Sequence, residues 1–115
     1  MSEECIFCRI ARGEMGTEFV AESEQSVAFR DISPQAPVHL LVVPRRHIPA
    51  LRDVGPDDAA VTADALALAA RVAAEQGLLE GGYRVITNDG PDAGQTVPHL
   101  HFHVLGGKPL RTALG

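Results

Sequence analysis

Three histidines stand at every second position of "TVPHLHFHVLGG", residues Thr96 to Gly107: His99, His101 and His103. Extended backbone sends successive side chains to opposite faces, so the three imidazoles share one face while Leu100, Phe102 and Val104 occupy the other. The stretch reads as a half-buried strand, apolar side on a core, with its imidazoles lining whatever lies opposite. A neutral imidazole can act as nucleophile, base or metal ligand near pH 7. One metal does not account for all three. At ~3.3 Å per residue His99 and His103 lie roughly 13 Å apart along a strand, so at least one ring has another task.

The other two histidines, His39 and His47, open and follow the apolar run "VHLLVVP". Each reads equally well as an ordinary polar residue at a strand end. "CIFC" sets Cys5 and Cys8 at the spacing of half a zinc site. A thioredoxin-like redox motif would follow a strand, which "CIFC" does not. Cys5, Cys8, His47 and one triad histidine would close a four-ligand structural zinc site, and two plain reduced thiols are the alternative. The loop "NDGPDAGQTVP" runs directly into the histidines. Its glycines permit close approach of main chain to a ligand, and consecutive N–H groups with the Thr96 hydroxyl form an anion-binding concavity. A bare turn has the same composition, but beside three imidazoles phosphate is the ligand that suits both.

The elements that must position these residues follow from period and punctuation. "CIFCRIARGE" reads as a short helix stopped at Gly13, and "EFVAE" and "SVAFRDI" as a hairpin around Ser23–Gln25. "VHLLVVP" is β-branched and almost wholly apolar, hence a central strand. "GPDDAAVTADALALAARVAAEQG" is a long helix with Pro56 in its first turn and Gly77 at its stop, followed by a strand at "YRVITN". That order specifies an α+β fold: one antiparallel sheet of about five strands with the helices on one face. At 115 residues the chain is one domain. A net charge of −5, no Trp and few aromatics exclude a general nucleic-acid or anionic-membrane binder. "MSEECIF" is acidic where a signal peptide is basic, and the most apolar helix is broken by Asp64 and Arg71, so a cytoplasmic location is expected. An uncovered sheet edge argues for a homodimer.

These blocks are similar to a known family. "HLHFHVL" matches the alternate-histidine motif of the histidine triad (HIT) superfamily. "DISPQAP", "VHLLVVPRRHI", "GYRVITNDG" and "GQTVPHLHFHVLGG" resemble its Hint branch, the purine nucleoside phosphoramidases, in order from about Cys5 to Gly107. The resemblance implies five antiparallel strands with two helices, paired as a dimer into a ten-stranded sheet. It implies a purine nucleoside monophosphate or phosphoramidate as ligand, and attack at the α-phosphorus through a nucleotidyl-histidine. By that likeness His101 is the nucleophile and His103 binds the phosphate oxygens with help from Gln95 and Thr96. His39 is a structural or proton-handling neighbour. Asp31 would take the ribose hydroxyls; Ile6, Phe7, Phe29 and Ile32 would wall the base; Asn88 and Gly94 would lie near the phosphate. Bacterial members with C-x₂-C, and the related uridylyltransferases, bind zinc through ligands that map to Cys5, Cys8, His47 and His99. No organic cofactor is implied. His103 stands where the uridylyltransferases have Gln, which weakens a transferase reading. The tail "KPLRTALG" lacks the Trp-containing end of animal members, so the preference for the leaving amine is open. A dinucleoside polyphosphate (Ap₄A-type) hydrolase and a nucleotide-binding regulatory module with incidental catalysis are the alternatives.

Overall fold

The run Val38–Pro44 (β3) is apolar along nearly its whole length because both of its faces are covered, and in the computed structural model it is the middle strand of five. The structure describes residues 5–112; the acidic "MSEE" and the last three residues of the tail lie outside the described residues. The elements are α1 (Ile6–Ala11), β1 (Ala21–Glu22), β2 (Ser26–Arg30), β3, α2 (Ala59–Glu75), β4 (Tyr83–Ile86) and β5 (Phe102–Gly106), with 3₁₀ turns at Leu51–Asp53, Pro56–Asp58 and Pro91–Ala93. The strands lie in the order β1-β2-β3-β5-β4, every neighbour antiparallel.

Helix α2 buries Val61, Ala65, Leu68, Ala69, Val72 and Ala73, a stripe at three- and four-residue spacing. The stripe packs on Ala28, Leu40, Val42, Phe102 and Val104. The opposite sheet face presents Val27, Phe29, Leu41 and Val43, and there α1 sets down Phe7, Cys8 and Ala11. The two helices therefore lie on opposite faces, not on one as the element order suggests. The reason is visible in β2 and β3, whose continuous apolar runs need a cover on each side.

A second correction concerns the histidine strand. The ladder begins at Phe102, so His99 and His101 lie in its extended lead-in and only His103 is in the strand. Pro98 has no N–H to give, the His99 N–H bonds to the Val97 carbonyl, and the Leu100 N–H bonds to the Ile48 carbonyl. The lead-in is also buried rather than half-buried: His99 and Leu100 are both shielded from solvent, one on each side. The free edges of the sheet are β1 and β4, and β4 exposes Tyr83 and Val85. Among the described residues no helix is long and apolar enough to cross a membrane.

Leu68 is 2% exposed at the centre of the α2 stripe. Leu68→Ala should cost about 2–5 kcal/mol, read as a lower urea midpoint at unchanged slope.

Candidate active site and metal cluster

Strands β3 and β5 pair with His39 opposite Leu105 and Leu41 opposite His103. His39 and His103 are thus diagonal neighbours on one face, close enough for long side chains to meet. They do: His39 Nε2 lies 2.9 Å from His103 Nδ1. Asp31, just past β2, extends the pairing by giving its N–H to the His39 carbonyl. Its Oδ2 stands 3.4 Å from His39 Nε2, and its Oδ1 accepts the Ser33 N–H at 2.7 Å. On the far side of the His39 ring, the Gln35 N–H donates to Nδ1 at 3.0 Å.

His101 is held by main chain. Its Nδ1 is 2.7 Å from the His99 carbonyl oxygen, and because a carbonyl only accepts, Nδ1 carries the proton and Nε2 the lone pair. The Thr87 hydroxyl donates to the His101 carbonyl at 2.7 Å. The ring packs between Phe7, edge-on at 5.0 Å between centroids, and His103 at 5.1 Å. A cavity of about 1010 Å³ opens beside this cluster, lined by His39, His103, Thr87 and Asn88 among others, with Arg84, Lys108 and Arg111 at its cationic part. His101 is not itself a lining residue; it is 8% exposed and adjoins His103, which is.

The same lead-in delivers His99 to the cysteines. His99 Nε2 lies 2.8 Å from the Pro44 carbonyl oxygen, so Nε2 carries the proton and Nδ1 offers a lone pair. Around that lone pair stand Cys5 Sγ at 3.3 Å, Cys8 Sγ at 3.5 Å and His47 Nδ1 at 3.2 Å, with Cys8 Sγ and His47 Nδ1 3.2 Å apart. A tetrahedral zinc with Zn–N bonds of ~2.0 Å and Zn–S bonds of ~2.3 Å spaces its ligands roughly 3.3–3.8 Å apart. The four atoms fit such an ion, and the Pro44 carbonyl is the outer hydrogen bond that orients a ligating histidine. Burial, with the neighbouring Cys5, pushes the Cys8 thiol up to about 11, so a metal must displace a proton there. Burial also brings His99 down to about 4, outweighing the Pro44 hydrogen bond, and brings His103 down to about 4 with help from His101 and His39.

The other sequence-derived candidates are distributed unevenly. Phe7 and Phe29 are buried edge-to-face at 5.8 Å, whereas Ile6 is partly exposed and Ile32 is 98% exposed on the Asp31 loop. Asn88 reaches the cavity; Gly94, Gln95 and Thr96 do not line it. Gly94 ends the Pro91–Ala93 turn at φ +89°, a left-handed conformation open to glycine. Both amide hydrogens of Gln95 are engaged, on the Pro49 and Val97 carbonyls, while its oxygen accepts the Gly90 N–H. Gln95 thus braces the loop from inside. Sequence reasoning missed Thr87, the main-chain donor at Gln35, and the ion pair in which Arg52 grips Asp89 through Nε at 2.7 Å and its own N–H at 2.9 Å. None carries a local signal: Arg52 and Asp89 are unremarkable charges far apart in sequence, and a main-chain donor has no side-chain signature.

The HIT domain family model matches residues 12–110. The purine nucleoside phosphoramidase of Escherichia coli (strain K12) is 43% identical over 110 residues, which span 96% of this chain and 92% of that protein. A HIT family hydrolase from Legionella pneumophila has the same fold in its crystal structure, with TM-score 0.93 and 44% identity over 96% of this chain and 99% of that one. A zinc-bound histidine triad family protein from Mycobacterium smegmatis superposes with TM-score 0.78 at 33% identity, covering 94% and 78% of the two chains.

The depressed His99 value makes metal-free stability depend on pH. The unfolded chain takes up this proton near 6.5 and the folded one only near 4, so stability is complete above about pH 6.5 and falls as pH drops toward 4. At ~1.4 kcal/mol per unit, His99 alone contributes roughly 3 kcal/mol to that fall. Urea unfolding of chelator-treated protein at pH 7.5, 5.5 and 4.5 measures it.

Proposed function

The chain belongs to the HIT domain family, and from that premise we propose that it hydrolyses the P–N bond of purine nucleoside 5′-phosphoramidates through a nucleotidyl-histidine intermediate. The observation that carries the reading is the His101 tautomer: Nδ1–H is fixed on the His99 carbonyl, leaving the Nε2 lone pair free on a ring whose centroid lies 5.1 Å from that of His103, a cavity-lining residue. His101 Nε2 attacks phosphorus, the P–N bond breaks, and the departing amine takes the bonding pair and a proton from solvent water. In the second half, water oxygen attacks the same phosphorus, freeing His101 and releasing the nucleoside monophosphate. One water is added across the P–N bond.

His103 donates to the non-bridging oxygens. Preorganised donors of this kind are worth ~3 kcal/mol each to a transition state. His39 orients His103, Asp31 and the exposed Ile32 receive ribose and base together with Ile6, Phe7 and Phe29, and Asn88 borders the phosphate. Gln95, Gly94 and Thr96 shape the loop that leads to the histidines. Zinc on Cys5, Cys8, His47 and His99 is structural: it ties α1 to the sheet, and no step passes through it. A homodimer forms through a sheet edge, with β4 the edge that exposes apolar Tyr83 and Val85. A dinucleoside polyphosphate is the second reading. Arg84, Lys108 and Arg111 in the cavity lining favour it, because a departing ADP or ATP is anionic.

Wild type incubated with an adenosine 5′-phosphoramidate should release amine and AMP and show a transient AMP adduct by intact mass spectrometry. His101→Ala should lose at least about 10³-fold in turnover and the adduct with it. Turnover of the alanine variant at the wild-type rate would end this mechanism. A higher kcat/KM on Ap₄A than on the phosphoramidate would shift the assignment to the second reading. Cys8→Ala should lower the zinc content by elemental analysis, and with it the melting temperature.

A further inference from the structure

The Gln35 N–H at 3.0 Å from His39 Nδ1 carries information beyond one hydrogen bond. A peptide N–H only donates, so His39 Nδ1 holds a lone pair. The proton of neutral His39 therefore sits on Nε2, which faces His103 Nδ1 at 2.9 Å and Asp31 Oδ2 at 3.4 Å. Both are acceptors for it. His103 Nδ1 then holds a lone pair in its turn, and the single proton of His103 is on Nε2.

We infer that the main chain of Gln35 is a positioning group that fixes this chain of tautomers, so that His103 meets the substrate as an Nε2–H donor and not as an acid. The inference rests on the hydrolase reading for its kinetic consequence, but the tautomers stand on geometry alone. Were His103 to surrender its Nε2 proton, it could be made good only by the proton of His39. His39 would then become an anion, because the peptide N–H behind it has no proton to give. Double protonation of His103 is barred for the same reason, since its Nδ1–H would point at the His39 Nε2–H. His103 is thus a fixed dipole aimed at developing charge on phosphoryl oxygens, and the proton for the departing amine comes from water.

The same logic separates the two clusters with metal-ligand spacing. Asp31, His39 and His103 offer three ligand atoms within 4.8 Å of one another, and Cys5, Cys8, His47 and His99 offer four. In the first cluster a cation would have to displace the His39 Nε2 proton and leave an imidazolate. In the second, His99 presents a lone pair. Divalent ions should discriminate accordingly.

The test is nitrogen NMR on uniformly ¹⁵N-labelled protein together with one backbone substitution. Long-range ¹⁵N–¹H correlation should show His39 and His103 both protonated on Nε2. Couplings across hydrogen bonds should link Gln35 N with His39 Nδ1, and His39 Nε2 with His103 Nδ1; Gln35→Ala, which keeps the N–H, should retain both. Replacing the residue-35 amide by an ester, using the α-hydroxy acid, removes only the donor. That variant should spread the His39 proton over both nitrogens and lower kcat about tenfold or more, with KM changed no more than about twofold. A matching ester at Ala36 controls for the backbone change. A proton on Nδ1 of either histidine in wild type would overturn the inference. So would an ester variant with wild-type kcat. If the tautomers and couplings are as stated but no phosphoramidate is turned over, the hydrolase reading fails and the positioning assignment stands.

Discussion

Neutral imidazole carries one N–H, so a main-chain group set against one ring nitrogen decides the chemistry of the other. Three rings here are disposed of in this way. The Pro44 carbonyl takes the His99 Nε2–H and turns a lone pair toward the cysteines, and the His99 carbonyl takes the His101 Nδ1–H and bares Nε2. The Gln35 amide occupies His39 Nδ1 and sends its proton toward His103. Similar side chains thus turn a lone pair to the cysteines, a bare Nε2 to one side or a proton to a neighbouring ring through their backbone partners alone. The rest of the architecture serves to hold those carbonyls and amides still.

That rigidity comes from the middle of the sheet. Pairing of β3 with β5 fixes the diagonal between His39 and His103, and the two faces of the same strands are sealed by different helices. Burial shields the His99 ring from water, and desolvation disfavours charge on His99 and His103. The loop between β4 and β5 is stiffened separately, by the Gln95 amide within and the Arg52–Asp89 pair without.

Much of this was legible in the chain. The apolar run Val38–Pro44 announced the central strand, and the residue types at Cys5, Cys8 and His47 announced a cluster that needed one more imidazole. Alternation placed the three triad rings on a common side even though the ladder starts only at Phe102. What stayed hidden was relational. A cover on each sheet face is written in the lack of alternation along β2 and β3, a weaker cue than the element order. The Gln35 contact has no side-chain signature at all; it depends on how "DISPQAP" turns between two prolines that themselves lack N–H groups. The bracing role of Gln95 was likewise invisible, because an amide in a glycine-rich loop looks the same whether it faces a ligand or its own backbone.

His99 belongs to both halves of the molecule: its ring points at the sulfur atoms and its carbonyl at the His101 ring. The cysteine cluster and the His101 imidazole are consequently joined by a single residue, with no flexible linker between them. Side-chain replacements at position 99 therefore confound two variables, emptying the cluster and loosening the peptide plane that aims its neighbour.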